Sequence, residues 1–181
     1  GIGNTTSASA VFAALSKAEP SEIVGRGTGI DDERLAHKIG VVEQALALHR
    51  PDAGDPLGVL AAVGGFEIGG MTGFLLGAAA GRTAVAVDGF IASTAAALAI
   101  RLCPASEPYF FFSHESAEQG HRLVLEFLEV RPLLQLDLRL GEGSGAALAM
   151  SVMSAALRLY REMATFESAE VSDAAETGAA D

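Results

Sequence analysis

The chain has no tryptophan, two tyrosines and a single cysteine among 181 residues. One cysteine, Cys103, excludes an internal disulfide and fits a reducing cytosol, so a cytoplasmic location is expected. Cations are scarce as well: 12 Lys and Arg stand against 23 Asp and Glu, a formal net charge of −11. That balance argues against sequence-independent binding to nucleic acid or to an anionic membrane surface, since both need clustered Lys and Arg. Uninterrupted apolar runs are also missing. Glu67 and Asp88 break the stretches that would otherwise approach a membrane span, and no signal-peptide pattern is seen. With aromatics at 6%, small side chains have to fill the core. Half the residues are apolar and 21 are glycine, a composition suited to helices packed closely on a sheet.

The acidity is uneven. Glu167, Glu170, Asp173, Glu176 and Asp181 occupy the last fifteen positions, which hold no Lys or Arg. They leave about −6 for the body. Their Ala, Glu, Ser and Gly surroundings predict a disordered tail from 167 to 181. The length of the rest, 1–166, bounds it to one domain. The chain starts without Met and in mid-motif, at Gly1-Ile-Gly-Asn-Thr-Thr, and is expected to be a piece of something longer.

Hydrophobic spacing and punctuation place the elements. A helix over 5–17 is expected, capped by Asn4 or Thr5 and ended before Pro20. A short apolar step, 22–29, leads through the loop Gly25-Arg-Gly-Thr-Gly. A helix over 32–49 follows, capped by Asp31 or Asp32, with Leu35, Ile39, Val42, Leu46 and His49 on one face. Residues 57–63 and 67–80 are further helices, separated by Gly64-Gly65. Thr83 to Val87 reads as a buried strand ended by Asp88-Gly89, and 90–102 as a helix stopped by Pro104. Tyr109 to Phe112 is a second strand, running out into polar Ser113-His-Glu-Ser. A helix over 117–128, a weaker strand over 133–138 and a long helix over 144–165 complete the order. Alternating strands and helices imply an α/β, Rossmann-like fold: a largely parallel sheet flanked by helices, with a long C-terminal helix. In such sheets ligands sit beyond the carboxyl ends of the strands, where Asp88 and Ser113 to Ser116 fall.

Several residues have the character to carry chemistry. Gly1 to Thr6 brings glycines and hydroxyls to a helix N-terminus, which suits a phosphate or carboxylate or serves as an ordinary cap. Neither this run nor Gly25–Gly29 has the spacing of a Walker A loop or of a dinucleotide fingerprint. Lys38 follows the second glycine loop and reads as a phosphate contact or as a solvated charge. Asp88 reads as a ligand-contacting carboxylate or as a helix cap. His114-Glu-Ser-Ala-Glu118 departs from the His-Glu-x-x-His zinc pattern at its last position, and His121 is seven residues from His114. Surface or capping histidines are the better reading, and no metal is expected. The sharpest candidate is Glu142, in Gly141-Glu-Gly-Ser-Gly at the mouth of the last helix. It is either a carboxylate stabilising the helix dipole or a catalytic base whose flanking glycines let the backbone approach a ligand.

Five motifs occur in order: Gly1-Ile-Gly-Asn-Thr-Thr, Gly64-Gly-Phe-Glu, Val87-Asp-Gly-Phe, Ser113-His-Glu-Ser-Ala-Glu and Arg139-Leu-Gly-Glu-Gly-Ser-Gly-Ala-Ala-Leu-Ala-Met. Each is weak singly. Together they resemble the C-terminal half of the nicotinate-nucleotide–dimethylbenzimidazole phosphoribosyltransferase family, over residues 1 to about 166. The resemblance implies transfer of the phosphoribosyl group of nicotinate mononucleotide to 5,6-dimethylbenzimidazole. The products would be α-ribazole 5′-phosphate and nicotinate, in assembly of the cobalamin nucleotide loop. It implies that Glu142 is the catalytic base and that Gly1, Gly27, Lys38, Asp88 and Ser116 line the nucleotide site. No cofactor is implied, and a homodimer is. Part of the family's pattern would lie before residue 1, including a glutamate and much of the benzimidazole pocket. A second reading is a nucleotide-binding or assembly module without turnover of its own.

Overall fold

The computed structural model describes residues 3–27, 29–166 and 168–169. The expected tail, 167–181, therefore lies almost wholly outside the described residues. Among the described residues, eight α-helices and four short strands follow one another as α1 (Asn4–Ser16), α2 (Pro20–Ile23), α3 (Asp32–His49), α4 (Pro56–Val63), α5 (Phe66–Ala80), β1 (Val85–Val87), α6 (Gly89–Leu102), β2 (Phe110–Phe112), β3 (His114–Ser116), α7 (Gln119–Phe127), β4 (Leu134–Leu138) and α8 (Ser144–Glu162). A 3₁₀ turn over Pro104–Tyr109 joins α6 to β2. The described residues up to Ala149 form one compact unit and those from Met150 onward a second.

The packing of the first unit starts from the composition of α6. Ser93, Thr94 and every residue from Ala95 to Ala99 are buried, so the helix is covered on all sides. Its alanines let α5, α1 and α7 approach closely. On the α5 side, Thr72 donates its hydroxyl to Ile68 O within its own helix (2.8 Å) and lies 3.3 Å from Ala95 O of α6. Burying that hydroxyl without a partner would cost on the order of 1–3 kcal/mol. Elsewhere Phe12 of α1 meets Phe127 of α7 edge to face at 5.6 Å. Amphipathic α7 buries Gly120, His121, Val124 and Leu125, while Arg122 and Glu126 pair on its outer face.

The strands are parallel, and their arrangement is particular. β1 pairs with β2 in the register Val85↔Phe110 to Val87↔Phe112, and β3 pairs with β4 from His114↔Leu134. One residue, Ser113, separates β2 from β3. Its N–H donates to Val87 O (2.9 Å), and its carbonyl accepts from Leu134 N (3.0 Å). Residues 110–116 are therefore a nearly continuous strand that changes neighbour at Ser113, with β1 paired to its first half and β4 to its second. The expected polar loop at 113–116 is a strand because its backbone finds partners on β4. β4 is weak for a visible reason: Asp137 has φ 50°, and the register slips between Glu115 and Ser116.

Other differences are local. The chain between Pro20 and Ile23 coils into α2, with Pro at its first position. Gly3, at φ 92°, stands at the N-cap of α1 with no side-chain cap, in place of Asn4 or Thr5. The cap of α3 is Asp31, which accepts from Arg34 N at 2.9 Å. On that helix Val42 is buried and Leu35, Ile39 and Leu46 pack against the core, but His49 is exposed. In α8, Gly145 and Ala149 are buried. Beyond them, in the second unit, the same helix exposes Leu157, Leu159 and Tyr160.

Candidate active site

Lys38 comes from the middle of α3 and reaches back to the glycine loop. Its Nζ donates to Thr5 Oγ1 and to Gly25 O, both at 3.0 Å. Gly27 packs beside the same ammonium. Burial lowers the Lys38 pKa from its usual value, and the nearby Glu118 charge acts in the opposite direction. This lysine is not a solvated surface charge. Two of its three protons are held by the protein, which leaves one to donate to a ligand. Arg26 braces the loop from the other side, donating to Ile30 O and pairing with Asp32 at the start of α3.

Asp88 follows β1, and its Oδ1 accepts from the backbone N–H of Ala146 at 2.8 Å. It thus caps α8 across 58 residues of sequence, rather than capping the helix that follows it. A carboxylate at the first turn of a helix is stabilised by the unpaired N–H groups there. Just before that turn, Gly141, Glu142 and Gly143 all have positive φ, at 78°, 56° and 77°. Glycine tolerates this region and glutamate does not favour it. The turn leaves Glu142 exposed at the entry to α8. Lys17, Arg50, Arg82, Glu129 and Asp137 share this left-handed backbone, but among the described residues Glu142 alone has it between two glycines that share it.

Two histidines lie beneath these groups. His114 and His121 are both buried, at 3% and 1% exposure, and their rings meet edge to face at 5.9 Å. This corrects the expectation of surface or capping histidines. The helical period of α7 carries His121 inward with Val124 and Leu125, and β3 carries His114 inward. His121 Nδ1 accepts the Ser116 N–H at 3.0 Å and lies 2.9 Å from Ser116 Oγ. The proton therefore sits on Nε2, which is 3.0 Å from Ser93 Oγ. His114 Nδ1 is 3.0 Å from Ser113 Oγ and 3.7 Å from Asp88 Oδ1.

Of the residues expected at the site, Gly1 lies outside the described ones. Lys38 and Gly27 sit together, and Asp88 is tied to the helix that follows Glu142. Ser116 is fastened to His121, whose ring touches that of His114 near Asp88. Glu118 links Ser116 to the lysine: it is two residues on and packs against Gly25. Its Oε1 is buried with no hydrogen-bond partner among the described residues. A cleft of about 490 Å³ opens beside Ser116 and Glu118, with Arg122 and Asp137 on its walls, but Lys38, Asp88 and Glu142 do not line it. Thr5 belongs to the run already offered as a phosphate site, whereas His114, His121, Glu118 and Gly145 were not foreseen as parts of this network. Only the two histidines carried a local signal, in their proximity to Ser113-His-Glu-Ser.

The described geometry is a parallel α/β unit with a cationic glycine loop and a carboxylate at a helix entry, and residues 1–171 match the model of a family described as phosphoribosyltransferase. The nicotinate-nucleotide–dimethylbenzimidazole phosphoribosyltransferase of Pelodictyon phaeoclathratiforme is 57% identical over 173 residues, 96% of this chain and 49% of its own. That of Chloroflexus aurantiacus is 56% identical with the same coverage. Among solved structures, CobT from Thermus thermophilus superposes with a TM-score of 0.88 at 46% identity, over 95% of this chain and 51% of that one. The chain belongs to the nicotinate-nucleotide–dimethylbenzimidazole phosphoribosyltransferase family and spans about half the length of the curated relatives it matches. No helix among the described residues is long and apolar enough to cross a membrane.

The His121 environment has a measurable consequence. Burial, and then the neighbouring His114, push its pKa down from 6.5 to about 4, with Asp88 acting the other way. Between those values the unfolded chain binds a proton that the native chain refuses. Stability is therefore complete above pH 6.5 and falls as pH drops toward about 4, by about 3 kcal/mol over the whole span. Urea unfolding across that range will show the decline, and His121→Gln will flatten it. An equally steep profile in the variant would remove His121 as its source.

Proposed function

We propose that the chain supplies the C-terminal portion of an enzyme that moves phosphoribose from nicotinate mononucleotide to 5,6-dimethylbenzimidazole, releasing nicotinate and α-ribazole 5′-phosphate in cobalamin nucleotide-loop assembly. Residues 1–166 form that portion of its α/β domain and 167–181 an acidic tail. The observation that carries the reading is Glu142, exposed on three successive positive-φ residues at the entry to α8, in a chain of this family.

The chemistry follows from the groups present. A neutral azole nitrogen is a poor nucleophile while its partner nitrogen keeps a proton. Glu142 accepts that proton as the first nitrogen attacks the ribose carbon. The bond to nicotinate breaks, and the sugar passes through an oxocarbenium-like state. Asp88 keeps one carboxylate oxygen beyond the one on Ala146 N–H, and its negative charge favours that state. The free proton of Lys38, with Gly27, holds the phosphate, and Ser116 is a further nucleotide contact held by His121. Fixing the phosphate fixes the sugar for attack. No step requires a metal or a cofactor. The cytoplasmic location rests on the free, exposed Cys103, and the homodimer on the family.

The half-length coverage favours a second reading for the isolated chain: nucleotide binding without turnover. A ribazole-phosphate assay of residues 1–181 beside a protein of full family length separates the two. The isolated chain is expected to bind the nucleotide weakly and to turn over little. Robust synthesis by it alone would place the acceptor pocket within these residues.

In the full-length protein, Glu142→Gln is expected to lower kcat by about 10²–10⁴ while leaving nicotinate mononucleotide binding nearly unchanged. Near-normal turnover would sink the assignment. Lys38→Ala is expected to give the opposite split, a raised KM with little change in kcat, because the phosphate does not react. If nicotinate riboside, which lacks the phosphate, distinguishes wild type from variant equally well, the lysine does not read phosphate.

A further inference from the structure

Gly145 is the second residue of α8, and its backbone is ordinary right-handed helix. Alanine is thus conformationally welcome there, and Gly→Ala inside helices ordinarily stabilises. What forbids it is a neighbour. A Cβ at 145 would overlap the imidazole of His114, falling on Nδ1, Cε1 and Cγ at once. The ring has nowhere to retreat. It is 3% exposed, and its Nδ1 is held at 3.0 Å from Ser113 Oγ. Ser113 donates its own hydroxyl proton to Val87 O at 2.8 Å, so its oxygen is left to accept from His114. The ring is thereby keyed to the β1–β2 ladder. On the next residue of α8, Ala146 N–H is fastened to Asp88, which leaves the end of β1. Two adjacent residues at the start of α8 are therefore located against the sheet, one by steric stop and one by hydrogen bond. Glu142 is three residues upstream of that stop, on a turn that Ser144 closes by donating its N–H (3.0 Å) and its hydroxyl (2.7 Å) to Gly141 O, so the turn moves as one piece with the start of α8.

We propose that His114 is a positioning residue for Glu142: its buried ring, keyed by Ser113 and pressed on Gly145, works with the Asp88–Ala146 bond to set where the Gly-Glu-Gly turn presents its carboxylate. The inference rests on Glu142 acting as the base. His114 touches no reacting atom in this scheme. It sets a distance, and proton transfer is steep in distance: a misplacement of about 1 Å costs about 10²-fold.

The test uses Gly145→Ala, His114→Ala and the double variant in the protein of full family length, with initial rates over nicotinate mononucleotide. Gly145→Ala is expected to lower kcat by about 10²-fold with KM nearly unchanged. The double variant, in which the new methyl has room, is expected to recover part of that loss, so the two effects will not add. Wild-type kcat in Gly145→Ala overturns the proposal, as does a double variant whose losses simply add. If Gly145→Ala does not fold, His114→Ala decides alone, and an unchanged kcat there overturns the proposal. Amide exchange at Ala146 reads the seat without any turnover. It is expected to speed by about tenfold or more in Gly145→Ala, and unchanged protection counts against the seat. A wild-type protein that makes no ribazole phosphate but shows the Ala146 response would fail the functional reading and leave the seat standing.

Discussion

Everything in the first unit leans on the close approach that α6 permits. Its seven consecutive buried residues, Ser93 to Ala99, include no side chain larger than leucine. A helix covered on all sides by other elements has to be thin, because each extra methylene would push a neighbour outward and open voids that dense packing does not tolerate. The scarcity of aromatics and the wealth of alanine are the compositional face of that geometry. Gly89, at the head of the same helix, follows directly on Asp88, so the packing of α6 also sets where the carboxylate that holds α8 stands.

From that centre the site is built by long-range ties. Lys38 reaches the Gly25 carbonyl and Thr5, and Asp88 reaches Ala146. Each joins segments that local folding alone would leave free. The strand from Phe110 to Ser116 is the common rail. By changing its partner at Ser113 it delivers a serine to β1, a histidine to α8 and a second serine to His121, within four residues. Polar groups buried at such a density are stable only if nearly all of them find partners, and here the exception among the described residues is Glu118 Oε1.

Much of the fold was legible because its signals are local. Pro104 stops α6 where expected, because it has no N–H with which to continue the helix. Asp31 sits where an N-cap belongs, and Asp88-Gly89 closes a short β-branched strand. The 32–49 helix falls where its spacing puts it. The long last helix was expected to reach 165 and ends at Glu162, and such boundaries depend on fraying more than on pattern. What could not be read depends on partners far away in sequence. Residues 113–116 look like a polar loop until β4 supplies hydrogen bonds. His49 lies on an apolar helical face, yet that face runs past the edge of the core and leaves it in solvent. His114 and His121 resemble surface histidines because polarity is a poor guide to burial when the ring nitrogens find partners inside.

The sequence by itself determined the family, through five ordered motifs, and with it the identity of Glu142, Lys38, Asp88, Gly27 and Ser116 as residues to watch. It also determined the α/β order, since periodicity and punctuation act over a few residues. Only the tertiary structure decided what those residues hold. It made Asp88 a cap for a helix 58 residues away, gave Lys38 two protein acceptors, buried both histidines, and turned Gly145 from one more glycine into the place where an imidazole meets a helix. The reason is physical. Local propensities depend on neighbours in the chain, whereas hydrogen-bond partners, steric stops and desolvation depend on neighbours in space, and those exist only once the chain has closed on itself.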